Sequence, residues 1–359
     1  MRILFYASNG LGVGHLTRLL SVAHALARTE LSHEIAFITN SEAGPFPDET
    51  PFYAIRIPGR SRARSGKLTP KSYFQSSRPL ILQAIASFDP HILVTDTFPE
   101  GPERELLPVM EWPIRKAFLF REQDPKRWPS DGYAKALRPY QRILVPHEEG
   151  SVLLPNALGE DPRVRWVGPI VYPSPFHTRE YARERLGIAP GETAILLSFG
   201  GGGDPQASRR AQDSAVFLRK KGISVFHAPG PLSRDLPPGI TAREWLPLWP
   251  MKPWLRAFDG VIAAGGYNTV HEILEAGVPA LFVPFERALD SQDRRIDRLV
   301  KDGTGCKAQV SDAESFERSI DTFLASRREI RNMLLRQPSG PFQGAEKACE
   351  GILELGHQR

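Results

Sequence analysis

Short apolar or β-branched runs alternate with longer stretches of helical period from one end of the chain to the other, the pattern of repeated βαβ units. In the first half, strands are predicted at Arg2 to Ala7, Glu34 to Thr39, Tyr53 to Ile57, His91 to Thr95, Arg115 to Phe120 and Arg142 to Val145. The clearest helix is Gly14 to Arg28, where Leu16, Leu19, Leu20, Ala23 and Leu26 recur at the spacing of one helical face. Val167 to Pro175 then breaks both periods with three prolines and a glycine, which predicts a linker. Beyond it the order restarts: a strand at Thr193 to Ser198, the glycine run Gly200 to Gly203, and a helix at Pro205 to Lys221. Strands at Ser224 to His227, Thr241 to Trp245, Gly260 to Ala263 and Ala280 to Val283 follow. They are joined by helices at Tyr267 to Glu275, Asp290 to Lys301, Ala313 to Ala325 and Ala345 to Leu355. The fold class is α/β, with two nucleotide-fold halves at 1–168 and 169–340 and a terminal helical segment at 341–359.

A chain of 359 residues suits two domains of ordinary size. No apolar run reaches the ~18 residues a membrane span needs, and the N-terminal apolar run reads as a buried strand rather than a signal-peptide core, so a cytoplasmic protein is expected. Cys306 and Cys349 have no metal-type spacing and read as inert core thiols. The net charge of +5 favours anionic partners but is too dispersed to indicate nucleic acid. Its densest cluster is Arg56, Arg60, Arg62, Arg64 and Lys67, in a Gly/Ser/Pro-rich segment expected to be a mobile loop. That cluster reads as plain solvation, or as a contact for an acidic acceptor or a membrane surface.

Candidate chemistry sits in the glycine-rich turns. Gly10, Gly12 and Gly14 follow the first strand and open the first helix, where backbone can approach a ligand and the helix end favours negative charge. The spacing is not that of a dinucleotide site, and Thr39-Asn40 at the end of strand two offers no carboxylate for a ribose, which excludes a nicotinamide cofactor. His15 falls at the C-terminal edge of the sheet, with an ordinary pKa near ~6.5 that suits a general base; a helix-capping histidine would look the same. Asp96, at the end of another strand, is placed either to orient His15 or to cap the following segment.

In the second half, the run Gly200, Gly201, Gly202 and Gly203 invites phosphate. Gly265-Gly266-Tyr267-Asn268-Thr269 turns into a helix carrying Glu272, whose carboxylate can accept both protons of a ribose diol. Gln292 and Asp293 open a later helix with groups able to bind sugar hydroxyls, although any exposed helix start presents such residues. No Asp-x-Asp pair occurs, so neither a metal ion nor a cofactor beyond the nucleotide co-substrate is expected.

Taken together, the His15 loop, the linker from Val167-Gly168, Ser198 to Gly203, the block Gly265 to Pro279 and Asp290-x-Gln292-Asp293 resemble, in order and spacing, GT-B glycosyltransferases. The type is that of the bacterial lipid II-forming N-acetylglucosaminyltransferase, glycosyltransferase family 28. The resemblance covers nearly the whole chain. It implies two Rossmann-like domains with parallel sheets facing across a cleft, and a last helix packing back on the first domain. It also implies inverting transfer from a UDP-linked or similar sugar to a small-molecule or lipid-linked acceptor. By position, His15 resembles the general base and Asp96 its partner. Gly200, Gly201, Gly202, Gly265, Gly266, Asn268, Thr269 and Glu272 correspond to the donor nucleotide site, with Trp245 and Leu246 at the base slot. Gln292 and Asp293 match donor-sugar contacts, and Gly12 and Gly14 the diphosphate loop. Asp293 stands where the lipid II-forming enzyme has a second glutamine, which leaves the donor sugar open. The segment Gly12 to Arg18 is also similar to the loop of a nucleotide-sugar hydrolase of pseudaminic acid biosynthesis that shares the fold. A hydrolase or epimerase is therefore the alternative activity, and a catalytically silent nucleotide binder the alternative class.

Overall fold

A computed structural model describes residues 1–8, 13–42, 51–123, 132–200, 205–230, 233, 236, 239–286, 290–337 and 342–357. The chain divides into two units, Met1–Tyr172 with Phe342–Arg359, and Pro173–Pro341. The first division falls inside the proline-rich stretch.

Among its described residues the first unit holds seven strands: β1 (Arg2–Ala7), β2 (Glu34–Thr39), β3 (Tyr53–Arg56), β4 (Ile92–Asp96), β5 (Arg115–Leu119), β6 (Arg142–Val145) and β7 (Val164–Trp166). They form one parallel sheet in the order β3-β2-β1-β4-β5-β6-β7. Its helices are α1 (Gly14–Ala27), α2 (Arg60–Ser65), α3 (Pro70–Phe88) and α4 (Gly132–Leu137), and the terminal Gly344–His357 helix also belongs to it. Alternation along β1 divides the core. Ile3, Phe5 and Ala7 pack with α1 and the terminal helix through Leu19, Leu20, Ala348 and Ile352, while Leu4 and Tyr6 face Ile81 and Ile85 of α3. A parallel sheet is buried on both faces in this way, which explains the nearly unbroken apolar strands.

The second unit contains β8 (Ala194–Ser198), β9 (Ser224–His227), β10 (Gly260–Ala264), β11 (Ala280–Val283) and β12 (Cys306–Lys307), parallel and ordered β12-β11-β10-β8-β9. The helices are α5 (Arg179–Leu186), α6 (Pro205–Lys220), α7 (Tyr267–Ala276), α8 (Gln292–Lys301) and α9 (Ala313–Arg336); the terminal helix is α10.

Three expectations are corrected. Thr241 to Trp245 is not a strand: the Glu244 carboxylate accepts from Thr241 N at 2.6 Å and from Arg219, closing a turn. Only Trp245 makes a bridge, to His227 of β9. The basic segment from Arg56 to Lys67 is not a loop throughout, because Arg60–Ser65 forms α2. Arginine and alanine are good helix formers, and the helix ends at Lys67, whose φ of 60° lets Leu68 N reach Ala63 O at 2.9 Å. The helix from Ala313 also runs to Arg336, beyond the predicted Ala325.

Candidate active site

Strand order locates both candidate regions. In an open parallel sheet, ligands bind beyond the carboxyl ends of the strands where the chain reverses its direction of growth. The first sheet reverses between β1 and β4, and the second between β8 and β10. His15 follows β1 and Asp96 ends β4. The Gly200 turn follows β8, and Gly265-Gly266 follows β10.

At the first switch point His15 and Asp96 meet, with Nδ1 3.2 Å from Oδ2. A third residue completes the cluster. Arg18, one turn along α1 and 2% exposed, donates to Asp96 Oδ2 from Nη2 at 2.6 Å and from Nε at 3.1 Å. The Thr97 hydroxyl donates to Oδ1 at 2.8 Å. Burial alone would raise the Asp96 pKa; the Arg18 guanidinium, reinforced by His15 and Thr97, overcomes it and holds the carboxyl well below the usual carboxylate range. Burial pulls His15 below 6.5, with the Asp96 charge opposing and Arg121 and Arg18 adding to the depression. The imidazole is therefore neutral at neutral pH, the form a base requires, beside a permanently ionised carboxylate that stabilises its protonated form. Thr97 has φ of 66°. For a β-branched residue this is a strained backbone, here directly after Asp96.

Arg18 was not anticipated, although the sequence carried a signal. It lies three residues from His15 and so shares its helix face, in a run of residues that are mostly apolar, where an arginine needs a buried anion. Phe98 is a further neighbour, its ring centroid 5.8 Å from that of His15.

In the second unit the glycines serve different ends. A Cβ on Gly265 would lie 2.7 Å from Ile296 Cδ1, so close packing on α8 demands this glycine. Around Gly266 and Gly200 a Cβ meets nothing within 4 Å, and Gly200 has φ of 93°, a conformation glycine adopts freely. Gly14 in the first unit is likewise open. Asn268, Thr269 and Glu272 lie on the first two turns of α7, Asn268 and Glu272 one turn apart on one face. Burial pushes the Glu272 carboxyl up to about 7, opposed by Lys252 and assisted by Glu275. Lys252 itself pairs with Glu275 at 2.9 Å, both buried.

Gln292 packs its Cβ against the Gly265 position and accepts from Phe285 N at 3.1 Å. Beside it, the buried Arg295 donates to Gly265 O at 2.6 Å and pairs with Asp290 at 2.8 Å, tying α8 to the glycine turn. Asp293 does not join this group; it pairs with Lys307 of β12 at 2.8 Å. Trp245 stacks edge-on against His227, and Leu246 N donates to His227 O at 2.8 Å, so this segment runs along β9. Gly12, Gly201 and Gly202 lie outside the described residues. No helix among the described residues is long and apolar enough to cross a membrane.

Comparison with known proteins bears on the fold. Residues 208–344 match the model of the glycosyltransferase family 28 C-terminal domain. The UDP-N-acetylglucosamine--N-acetylmuramyl-(pentapeptide) pyrophosphoryl-undecaprenol N-acetylglucosamine transferase of Mycolicibacterium smegmatis is 34% identical over 191 residues, covering 49% of this chain and 48% of that protein. The chain spans about half the length of the curated relatives it matches. Among solved structures, Os79 from O. sativa in complex with UDP superposes with a TM-score of 0.68 at 16% identity, over 98% of this chain and 100% of that one. The spinosyn rhamnosyltransferase SpnG complexed with thymidine diphosphate gives 0.62 at 19%, over 99% and 100%. The chain thus has the fold of the GT-B glycosyltransferases, and its second unit carries the match to the C-terminal domain of glycosyltransferase family 28.

Proposed function

We propose that the protein is an inverting glycosyltransferase that moves a sugar from a nucleoside diphosphate donor, UDP-linked by preference, to a hydroxyl or amine of an acceptor. Displacement at an anomeric carbon needs an activated nucleophile and a stabilised leaving group. The first role falls to His15: its neutral imidazole takes the acceptor proton, and Asp96, fixed by Arg18 and Thr97, supports the imidazolium that results. Such a base contributes roughly 10²- to 10⁴-fold. The second role falls to the turn at Gly265-Gly266 and the N-terminus of α7, where backbone amides and the helix dipole suit a diphosphate. Glu272 accepts the ribose hydroxyls, Trp245 and Leu246 border the base, and Gln292 contacts the donor sugar.

The observation that carries the reading is the histidine and carboxylate pair at 3.2 Å at the first sheet's switch point. Donors with uridine and thymidine diphosphate are favoured by the UDP and thymidine diphosphate bound to proteins of the same fold.

The test is a panel of UDP- and dTDP-sugars followed by NMR, with and without a mixed set of hydroxyl and amine acceptors. Transfer that requires acceptor, with inversion at the anomeric carbon, is expected. Rapid release of free sugar without acceptor would assign the chain to the hydrolases instead. Nucleotide binding with every donor left intact would make it a silent binder.

A further inference from the structure

One cavity of the first unit is not used by the chemistry above. It is walled by the ends of β1 and β2, by α3 and by the loop after β4, and measures about 170 Å³. An apolar cavity of about 150 Å³ admits a benzene molecule, so this space holds one six-membered ring.

Its walls are unequal. Ile38, Ile57, Ile81 and Phe98 offer apolar faces. Opposite chemistry comes from Glu105, buried, which accepts from the Tyr6 hydroxyl and from Glu103 N at 2.8 Å. Gly101, with φ of 81°, lies so close to that carboxylate that a Cβ there would collide with it, so the backbone is shaped around it. The described lining carries two carboxylates, Glu103 and Glu105, and one cation, Arg60, which is paired to Glu103. The hydrogen bonds to Glu105 come from neutral donors; burial raises its carboxyl above the ordinary range, against those hydrogen bonds and the weaker opposing charge of Arg60. A desolvated carboxylate held by neutral donors gains most from a cation at hydrogen-bond distance.

We propose that this cavity is an acceptor subsite for a six-membered ring bearing a protonated amine, the ammonium on Glu105 and the ring's apolar face against Phe98 and the isoleucines. Phe98 also packs at a tilt against the His15 ring, so the subsite shares a wall with the base. Calling the ring part of an acceptor rests on the glycosyltransferase reading; its binding does not.

The test measures binding of trans-4-aminocyclohexanol and trans-1,4-cyclohexanediol to the full chain by ligand-observed NMR, with UDP binding measured on the same samples. The amine is expected to bind at least tenfold more tightly than the diol, about 1.4 kcal/mol. Glu105→Gln should bring the two to parity and leave UDP affinity unchanged. Ser77→Phe, which fills the cavity from α3 without altering the carboxylate, should abolish amine binding and serves if Glu105→Gln does not fold. Equal affinity for amine and diol, a preference that survives Glu105→Gln, tighter binding of the diol, or binding of neither ring would each overturn the proposal. Loss of UDP binding in the unaltered chain would strike the glycosyltransferase reading alone, because the ring measurement stands without it.

Discussion

Replacing Asp96 by Asn removes one charge and almost no volume. The Asn carbonyl oxygen can keep the place of Oδ2, which meets His15 at 3.2 Å and Arg18 at 2.6 and 3.1 Å, while its amide faces Thr97, whose hydroxyl can turn to accept. Geometry is therefore retained and the loss is electrostatic. Arg18, fully desolvated, keeps its charge without a counter-charge, and breaking a buried pair in this way costs about 3–5 kcal/mol. For a unit of this size that lowers Tm by about 10 °C, readable by scanning calorimetry. A second effect is kinetic. Asp96 opposes the depression of the His15 pKa, so its removal lowers that pKa further. The base then remains neutral to lower pH, and the acid limb of the rate profile moves down while the plateau falls by roughly 10²- to 10⁴-fold. The signs for stability follow from linkage. Unfolded histidine takes a proton near 6.5 that the folded site refuses, so the native state loses stability as pH falls below that value. The Asp96 contribution is present above the unfolded carboxylate's pKa and is lost only as pH falls through its depressed folded value. An Asp96→Asn protein with unchanged Tm and an unmoved acid limb would refute this reasoning.

Glu272 predicts a pH dependence in donor binding. Its carboxyl stands at about 7 and must be ionised to accept both ribose protons, so affinity for UDP-glucose, measured calorimetrically from pH 5 to 8, should weaken by up to about tenfold per unit below 7. A flat profile would remove Glu272 from the ribose. The unliganded fold holds this proton between 4.5 and about 7 while the unfolded chain does not, so the group's stabilising share declines as pH rises through that window, and Glu272→Gln should flatten the trend. The two glycines before α7 should separate cleanly. Gly265→Ala drives a methyl to 2.7 Å from Ile296 and should cost about 1–3 kcal/mol in a denaturant titration. Gly266→Ala meets no neighbour and should leave stability intact while weakening UDP binding; an unchanged UDP affinity would argue against diphosphate at this turn.

Much of this architecture was legible because parallel strands buried on both faces write themselves as apolar runs, and because glycine turns mark their carboxyl ends. The failures have local causes. Thr241 to Trp245 has strand composition, but Glu244 folds back on Thr241, a side-chain contact no periodicity encodes. Arg60 to Ser65 lies among loop-forming residues, yet its arginines and alanine favour a helix that meets Glu103 from a distant loop. At the candidate site, His15 and Asp96 could be nominated because one opens a helix and the other ends a strand, with their pairing offered as one of two readings and by resemblance. Their meeting depends on β1 and β4 being neighbours, which the order of strands along the chain does not reveal. Gly265 carries a second constraint that the sequence does not announce: besides any ligand, packing on Ile296 requires a glycine there. Asp293, expected as a sugar ligand by position, pairs with Lys307 on the surface, a contact that their separation along the chain does not announce.

The account stands on His15 as the base, and His15→Ala tests it most directly when sugar transfer and UDP affinity are measured on the same preparation. Transfer should fall at least about 100-fold, the low end of a general base's contribution, with UDP affinity within twofold of the unaltered protein. Transfer at the original rate, or a parallel loss of UDP binding, would contradict it.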